Sequence, residues 1–250
     1  MSKDRPFVLT IAGLDPSGGA GILADIKTFE QHKVTGFAIS TANTIQTENQ
    51  FYEIQWTGLS FVIRSIETLF LNYKINVVKI GIVSSLHDLS RILSTIKLLS
   101  PSTKIVWDPV LKSTTQFDFL NIETHSDLNK ILPKIDLITP NYHETEILFP
   151  GFISKNLWKE NQISTNILLK GGHNEKALGR DRLFLKDEVL ELLPSEKNCF
   201  EKHGSGCVLS SAIASNLALN QNTTEACKNA KIYIEKYLSS TSTLIGYHYV

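Results

Sequence analysis

The strongest constraint on this chain is a regular alternation of short apolar runs with stretches of helical period. Residues 7–12 (FVLTIA), 37–42, 77–81, 105–108, 137–139 and 167–170 read as strands, several of them apolar throughout. Between them, residues 22–31 set Ile22, Ile26 and Phe29 on one helical face, and a later segment carries Phe61, Ile66, Leu69 and Phe70. Ser85 is placed to cap a helix bearing Leu86, Leu89, Ile92, Leu93 and Ile96. Asn222 and Glu225 have capping-box spacing, opening a last helix that turns Ala226, Ala230, Tyr233, Ile234 and Tyr237 inward. The runs 182–185 and 189–192 flank Lys186-Asp187-Glu188 as a hairpin. Such alternation predicts an α/β fold, a mostly parallel central sheet flanked by helices with a late antiparallel edge hairpin. With 250 residues and no internal repeat or Pro/Ser-rich linker, residues 1–250 are expected to form one domain.

Composition removes several function classes. Lysine and arginine total 25, as do aspartate and glutamate, so no strong field favours nucleic acid or a membrane surface. The three cysteines, Cys199, Cys207 and Cys227, are odd in number and lack CxxC spacing, which predicts reduced thiols and no zinc cluster. The apolar run after Pro6 is too short for a signal segment, and no stretch approaches the ~20 apolar residues of a membrane span. A soluble cytoplasmic protein is expected.

Three predicted strands end in polar residues: Asp108, Asn141 and Lys170. Ligands of open parallel sheets bind beyond the carboxyl ends of the strands, so these side chains are expected to share a crevice. A glycine-rich turn at Gly204-Ser205-Gly206-Cys207 then feeds a small-residue helix with Ala212, Ala214, Ser215 and Ala218. Unpaired N–H groups at such a helix start form an anion site, and a thiol there is expected to have a lowered pKa. Alone, Cys207 reads equally well as a buried small hydrophobe. Two glycine motifs near the N-terminus are decoys. Gly13 and Gly18 have the spacing of a phosphate-binding loop, but Gly19 stands where the lysine is required. Gly19-Ala20-Gly21-Ile22-Leu23-Ala24 matches a dinucleotide fingerprint, yet the second strand runs into Ala42-Asn43-Thr44 without an acid for a ribose hydroxyl.

Residues 12–28 (AGLDPSGGAGILADIKT) resemble the opening signature of the hydroxymethylpyrimidine/phosphomethylpyrimidine kinases, members of the ribokinase-like superfamily. Further blocks agree in order: residues 41–46, 107–110, 139–144, 170–173 and 203–212. The resemblance implies a three-layer ribokinase-like fold and ATP-dependent phosphorylation of 4-amino-5-hydroxymethyl-2-methylpyrimidine and of its monophosphate. It places Asp25 and Gln46 on the pyrimidine's amine and ring nitrogen, and Gly13, Ile82 and Val110 against the ring. Asn141 and Glu144 resemble an NxxE motif that organises Mg²⁺ and phosphates through water, joined by Asp108, with Lys170 steadying a nucleotide phosphate. Gly204, Ser205, Gly206 and Cys207 become the anion hole, and Cys207 the base for the hydroxymethyl proton. Residues 112–116 become an active-site flap, and a homodimer is the family expectation. Lys202, Ile82 and Leu14 depart from residues common in the family. A pyridoxine/pyridoxal kinase is the alternative on the same fold.

Overall fold

The structure is a computed structural model that describes residues 4–112, 119–120, 125–154, 164–172, 177–195 and 198–248. Its nine strands are β1 (Phe7–Leu14), β2 (Thr35–Gln46), β3 (Phe51–Trp56), β4 (Ile75–Ile80), β5 (Lys104–Trp107), β6 (Leu137–Ile138), β7 (Asn166–Leu169), β8 (Asp181–Phe184) and β9 (Val189–Leu192). Its helices are α1 (Gly21–Gln31), α2 (Leu59–Asn72), α3 (Leu86–Leu99), α4 (His125–Ile131), α5 (Tyr142–Leu148), α6 (Ser205–Ala218) and α7 (Thr223–Ser239). One sheet holds all nine strands in the order β3-β2-β1-β4-β5-β6-β7-β8-β9. Strands β2 to β7 of that order are parallel, while β3, β8 and β9 run antiparallel to their neighbours. The expected α/β architecture and late hairpin are present.

Alternation along the strands divides the core into two layers. Leu9, Val78, Ile105, Trp107 and Leu169 pack on one face with α2 and α3, while Val8, Val77, Val106 and Leu168 face α1, α6 and α7 on the other. Strands buried on both faces need apolar side chains at every position, which is why they read as continuous runs. Helix α6 is buried at every position from Val208 to Ala218, and its small residues let it lie close to the sheet. The chain leaves β1 toward β2 on one side and returns to β4 on the other, so the strand order reverses at β1. That reversal opens a crevice beyond the carboxyl ends of β1 and β4.

Local expectations fared unevenly. Ser85 caps α3 by accepting the Asp88 N–H, and Asn222 and Glu225 form the capping box of α7. In α2, however, Val62 and Ile66 point inward and Phe61 is 59% exposed. The antiparallel strand β3 was not anticipated, nor was the extension of β2 through Gln46.

Candidate active site

The strand ends border one cavity of about 290 Å³. Asp108, Asn141, Glu144, Lys170, Gly204, Ser205, Gly206 and Cys207 all line it, so the convergence expected from the strand-end pattern is present. Gly13, Gln46, Ile82 and Val110 line the same cavity. Because Gly13, Gln46 and Ile82 belong to the ends of β1, β2 and β4, and Asp108, Asn141 and Lys170 to those of β5, β6 and β7, strand order separates an apolar wall from a charged one.

The charged wall is held together by direct contacts. The Lys170 Nζ donates to Asp108 Oδ1 at 2.8 Å and stands 4.0 Å from Glu144 Oε2. The Thr139 hydroxyl at 3.1 Å and the Ser210 hydroxyl at 3.2 Å also donate to the buried Asp108 carboxylate. Burial opposes the Asp108 charge, but Lys170 and Lys79 outweigh it and hold the carboxyl below its ordinary pKa. Lys170 is raised: desolvation works against its ammonium, and Asp108 and Glu144 overcome it. Glu144 is pushed up to about 7, chiefly by burial, with Asp108 adding repulsion and Lys170 acting against both. Asn141 caps α5 through the Glu144 N–H at 2.9 Å, and Glu144 returns by accepting the Asn141 N–H at 2.7 Å. The Asn141-x-x-Glu144 spacing therefore has a structural use, a capping box that also aims the carboxylate at the cavity.

Glycine has a steric role at the anion turn. Gly204 has a φ of +73°, and a Cβ there would lie 2.1 Å from the Gly19 carbonyl oxygen. At Gly206 a Cβ would reach within 3.2 Å of Lys170 Nζ and 3.7 Å of Asp108 Oδ2, so its absence keeps the turn open beside those charges. No side chain caps the start of α6, which leaves first-turn N–H groups available to an anion.

Two expectations require correction. Asp25 does not line the cavity: its carboxylate is fully buried and accepts the Thr10 hydroxyl at 2.6 Å, the Ser211 hydroxyl at 2.6 Å and Lys79 Nζ at 3.0 and 2.9 Å. Four contacts use the capacity of a carboxylate, so none remains for a ring amine. Nor is the Cys207 thiol acidic. Burial pushes it up to about 11, with Asp25 and Asp108 adding repulsion, while Lys79 and the Gly21 N–H oppose the shift. A helix N-terminus alone does not offset that desolvation.

The apolar wall is close-packed, since a Cβ on Gly13 would fall 2.4 Å from Ile82 Cδ1. Gln46 donates to the Thr44 hydroxyl at 2.9 Å and lines the cavity, where its amide can donate and accept. Residues 113–116 of the expected flap lie outside the described residues, although Lys112 lines the cavity.

Lys79 and Asp15 also line the cavity and had no role in the sequence reading. Asp15 accepts from Ser17 and from the Ala20 N–H, and pairs with His203 Nε2 at 2.8 Å, tying the loop after β1 to the anion turn. Burial opposes its charge, but the bonds from His203 and Ser17 leave its pKa lowered. Lys79 was detectable as the one charged residue inside the run Val77-Val78-Lys79-Ile80.

No group of three His, Cys, Asp or Glu side chains suited to a metal occurs among the described residues. Two cavity-facing carboxylates, Asp108 and Glu144, instead fit a hydrated Mg²⁺, which takes one or two carboxylates and keeps several waters. No helix of the described residues is long and apolar enough to cross a membrane.

Comparison with known proteins agrees with this geometry. The sequence model of phosphomethylpyrimidine kinase matches residues 15–249. The hydroxymethylpyrimidine/phosphomethylpyrimidine kinase of Aquifex aeolicus is 33% identical over 247 residues, covering 95% of this chain and 96% of the relative. A similarly named Saccharomyces cerevisiae protein is 36% identical over 242 residues, where the match spans 43% of its length. The phosphomethylpyrimidine kinase crystal structure from Clostridium difficile superposes with a TM-score of 0.76 at 33% identity, covering 92% of this chain and 98% of that one. The Staphylococcus aureus pyridoxal kinase in complex with ADP reaches a TM-score of 0.82 at 22% identity and shares the fold. From a match over nearly the whole chain, the chain belongs to the hydroxymethylpyrimidine/phosphomethylpyrimidine kinase family.

Proposed function

We propose that this chain transfers the γ-phosphoryl group of ATP to the hydroxymethyl oxygen of 4-amino-5-hydroxymethyl-2-methylpyrimidine, and then a second phosphoryl group to the monophosphate. One observation carries the reading: the apolar Gly13, Ile82 and Val110 and the Gln46 amide share one cavity with the paired charges of Asp108, Glu144 and Lys170 and with the glycine-rich start of α6. A flat aminopyrimidine suits Gly13, Ile82 and Val110, with Gln46 able to bond its polar edge. Phosphoryl transfer needs positioning and charge stabilisation more than covalent help from the protein.

In this reading the N–H groups at 204–207 hold the oxygens of the transferring group. Cys207, as thiolate, takes the hydroxymethyl proton while the oxygen–phosphorus bond forms and the bond to the ADP oxygen breaks. Lys170 balances charge on the nucleotide phosphates, and Asp108 and Glu144 are the residues that would hold Mg²⁺, with Asn141 fixing Glu144. When bound, Mg²⁺ neutralises phosphate charge. A cytoplasmic homodimer of one kinase domain, residues 1–250, belongs to the same proposal.

The test is ATP consumption by the purified protein with the pyrimidine alcohol, its monophosphate and pyridoxal in parallel. Turnover with both pyrimidines is expected. Faster transfer to pyridoxal overturns the substrate assignment, and no turnover with any acceptor overturns the kinase reading for this chain.

A further inference from the structure

Lys79 is a fully buried lysine in the middle of a parallel sheet, where apolar side chains would pack at less cost. Its ammonium contacts both oxygens of Asp25, at 3.0 and 2.9 Å, leaving at least one of its three N–H groups unused by that carboxylate. Asp25 is in turn fixed by the Thr10 and Ser211 hydroxyls. Ser211 lies one helical turn beyond Cys207, on the same face of α6. Lys79 also borders the cavity, close enough to the end of β4 that a Cβ on Gly81 would stand 3.3 Å from Nζ. The buried pair thus lies under the face of α6 that presents Cys207.

We propose that Lys79 is a positioning residue for phosphoryl transfer: its ammonium, anchored by Asp25 beneath the Cys207 face of α6, is the countercharge that makes the Cys207 thiolate attainable. This rests on Cys207 being the base. The charged and titratable groups acting on the Cys207 sulfur or coupled to it are Lys79 from β4, Asp25 from α1, Asp108 after β5, Lys170 after β7 and Tyr237 from α7. Of the groups acting on the sulfur, Lys79 is the main one favouring its negative form, against burial and two carboxylates. Asp25 therefore restrains the ammonium and partly offsets it, which keeps Lys79 charged while its field still reaches the sulfur. During transfer the sulfur gains the hydroxymethyl proton and becomes neutral, and the ammonium keeps all three of its own.

The experiment measures the thiol without relying on turnover. In a Cys199→Ser background, with Cys227 wholly buried, iodoacetamide alkylation reports Cys207. Removing both partners together, Lys79→Met with Asp25→Asn, strands neither charge. Because alkylation follows the thiolate fraction, Cys207 in the folded double variant is expected to react more slowly at pH 8.5, since the favourable influence of Lys79 on the sulfur exceeds the opposing one of Asp25 and both are lost together. An unchanged or faster rate overturns the proposal. If the double variant does not fold, the Lys79 ¹³Cε resonance decides in the protein with lysine 79 intact. An inflection at the thiol's own titration that vanishes in Cys207→Ser is expected, and superimposable curves overturn it. Full turnover by Cys207→Ala removes the base assignment instead and leaves the thiol measurement standing, so the two failures are distinguishable.

Discussion

Glu144 carries the least favourable charge in the site. Burial raises it from 4.5 to about 7, so the folded state binds the proton more tightly than the unfolded state across that interval. Stability contributed by this group is therefore greatest below pH 4.5 and falls as pH rises through about 7. Glu144→Gln removes the penalty and can still accept the Asn141 N–H. At pH 8 its midpoint of thermal unfolding is expected to rise, by the equivalent of about 1–3 kcal/mol, and the gain should vanish near pH 4.5. A lower midpoint at pH 8 would show that the Lys170 contact outweighs desolvation. Cys207 gives a second prediction. An alcohol must lose its proton to attack, whereas a phosphate monoester, with a second pKa of ~6, is already ionised at neutral pH. Cys207→Ala should lower kcat for the alcohol by about 10²–10⁴-fold with modest change in KM, and lower the second phosphorylation much less. Equal losses in the two steps would make Cys207 a part of the anion hole and not a base.

At the scale of elements, what local chemistry dictates was legible and what packing dictates was not. Ser85 and Asn222 cap because a short polar side chain can satisfy orphan N–H groups within its own turn. Asn222→Ala should accordingly cost about 1 kcal/mol in denaturant unfolding and leave kcat unchanged, since the length of α6 separates this cap from the anion turn and neither Asn222 nor Glu225 lines the cavity. A fall in kcat would tie that cap to the site. Phe61 was misplaced because it lies five residues from Ile66, about 140° around a helix, so the two cannot share a buried face. Strand β3 was in fact legible: Tyr52, Ile54 and Trp56 alternate with Glu53 and Gln55, the period-2 pattern of a half-exposed strand, here paired along one edge only. Asp25 was misread for the opposite reason: its position in a specific motif is real, but its partner Lys79 is 54 residues away.

For the whole molecule, the cavity joins the ends of six strands, β1, β2, β4, β5, β6 and β7, the loop after β1 and the start of α6, so any ligand that fills it links segments from both ends of the chain. A magnesium–nucleotide complex at 100 times its Kd should therefore stabilise the protein by about 2.7 kcal/mol, read as a shift in thermal midpoint. No shift at saturation would mean that the charged wall does not bind nucleotide. The amino-acid sequence by itself determined the layer order, the strand-end polar residues and the anion turn. Each of these follows from apolar period, capping chemistry or glycine placement over a few residues. Only the tertiary structure decided the state of the charges. Whether Asp25 meets a substrate or Lys79, whether Cys207 is acidic or raised to about 11, and whether Glu144 ionises freely all depend on burial and on partners brought from distant strands. Desolvation and Coulomb interactions act through space, and no spacing along the chain encodes them.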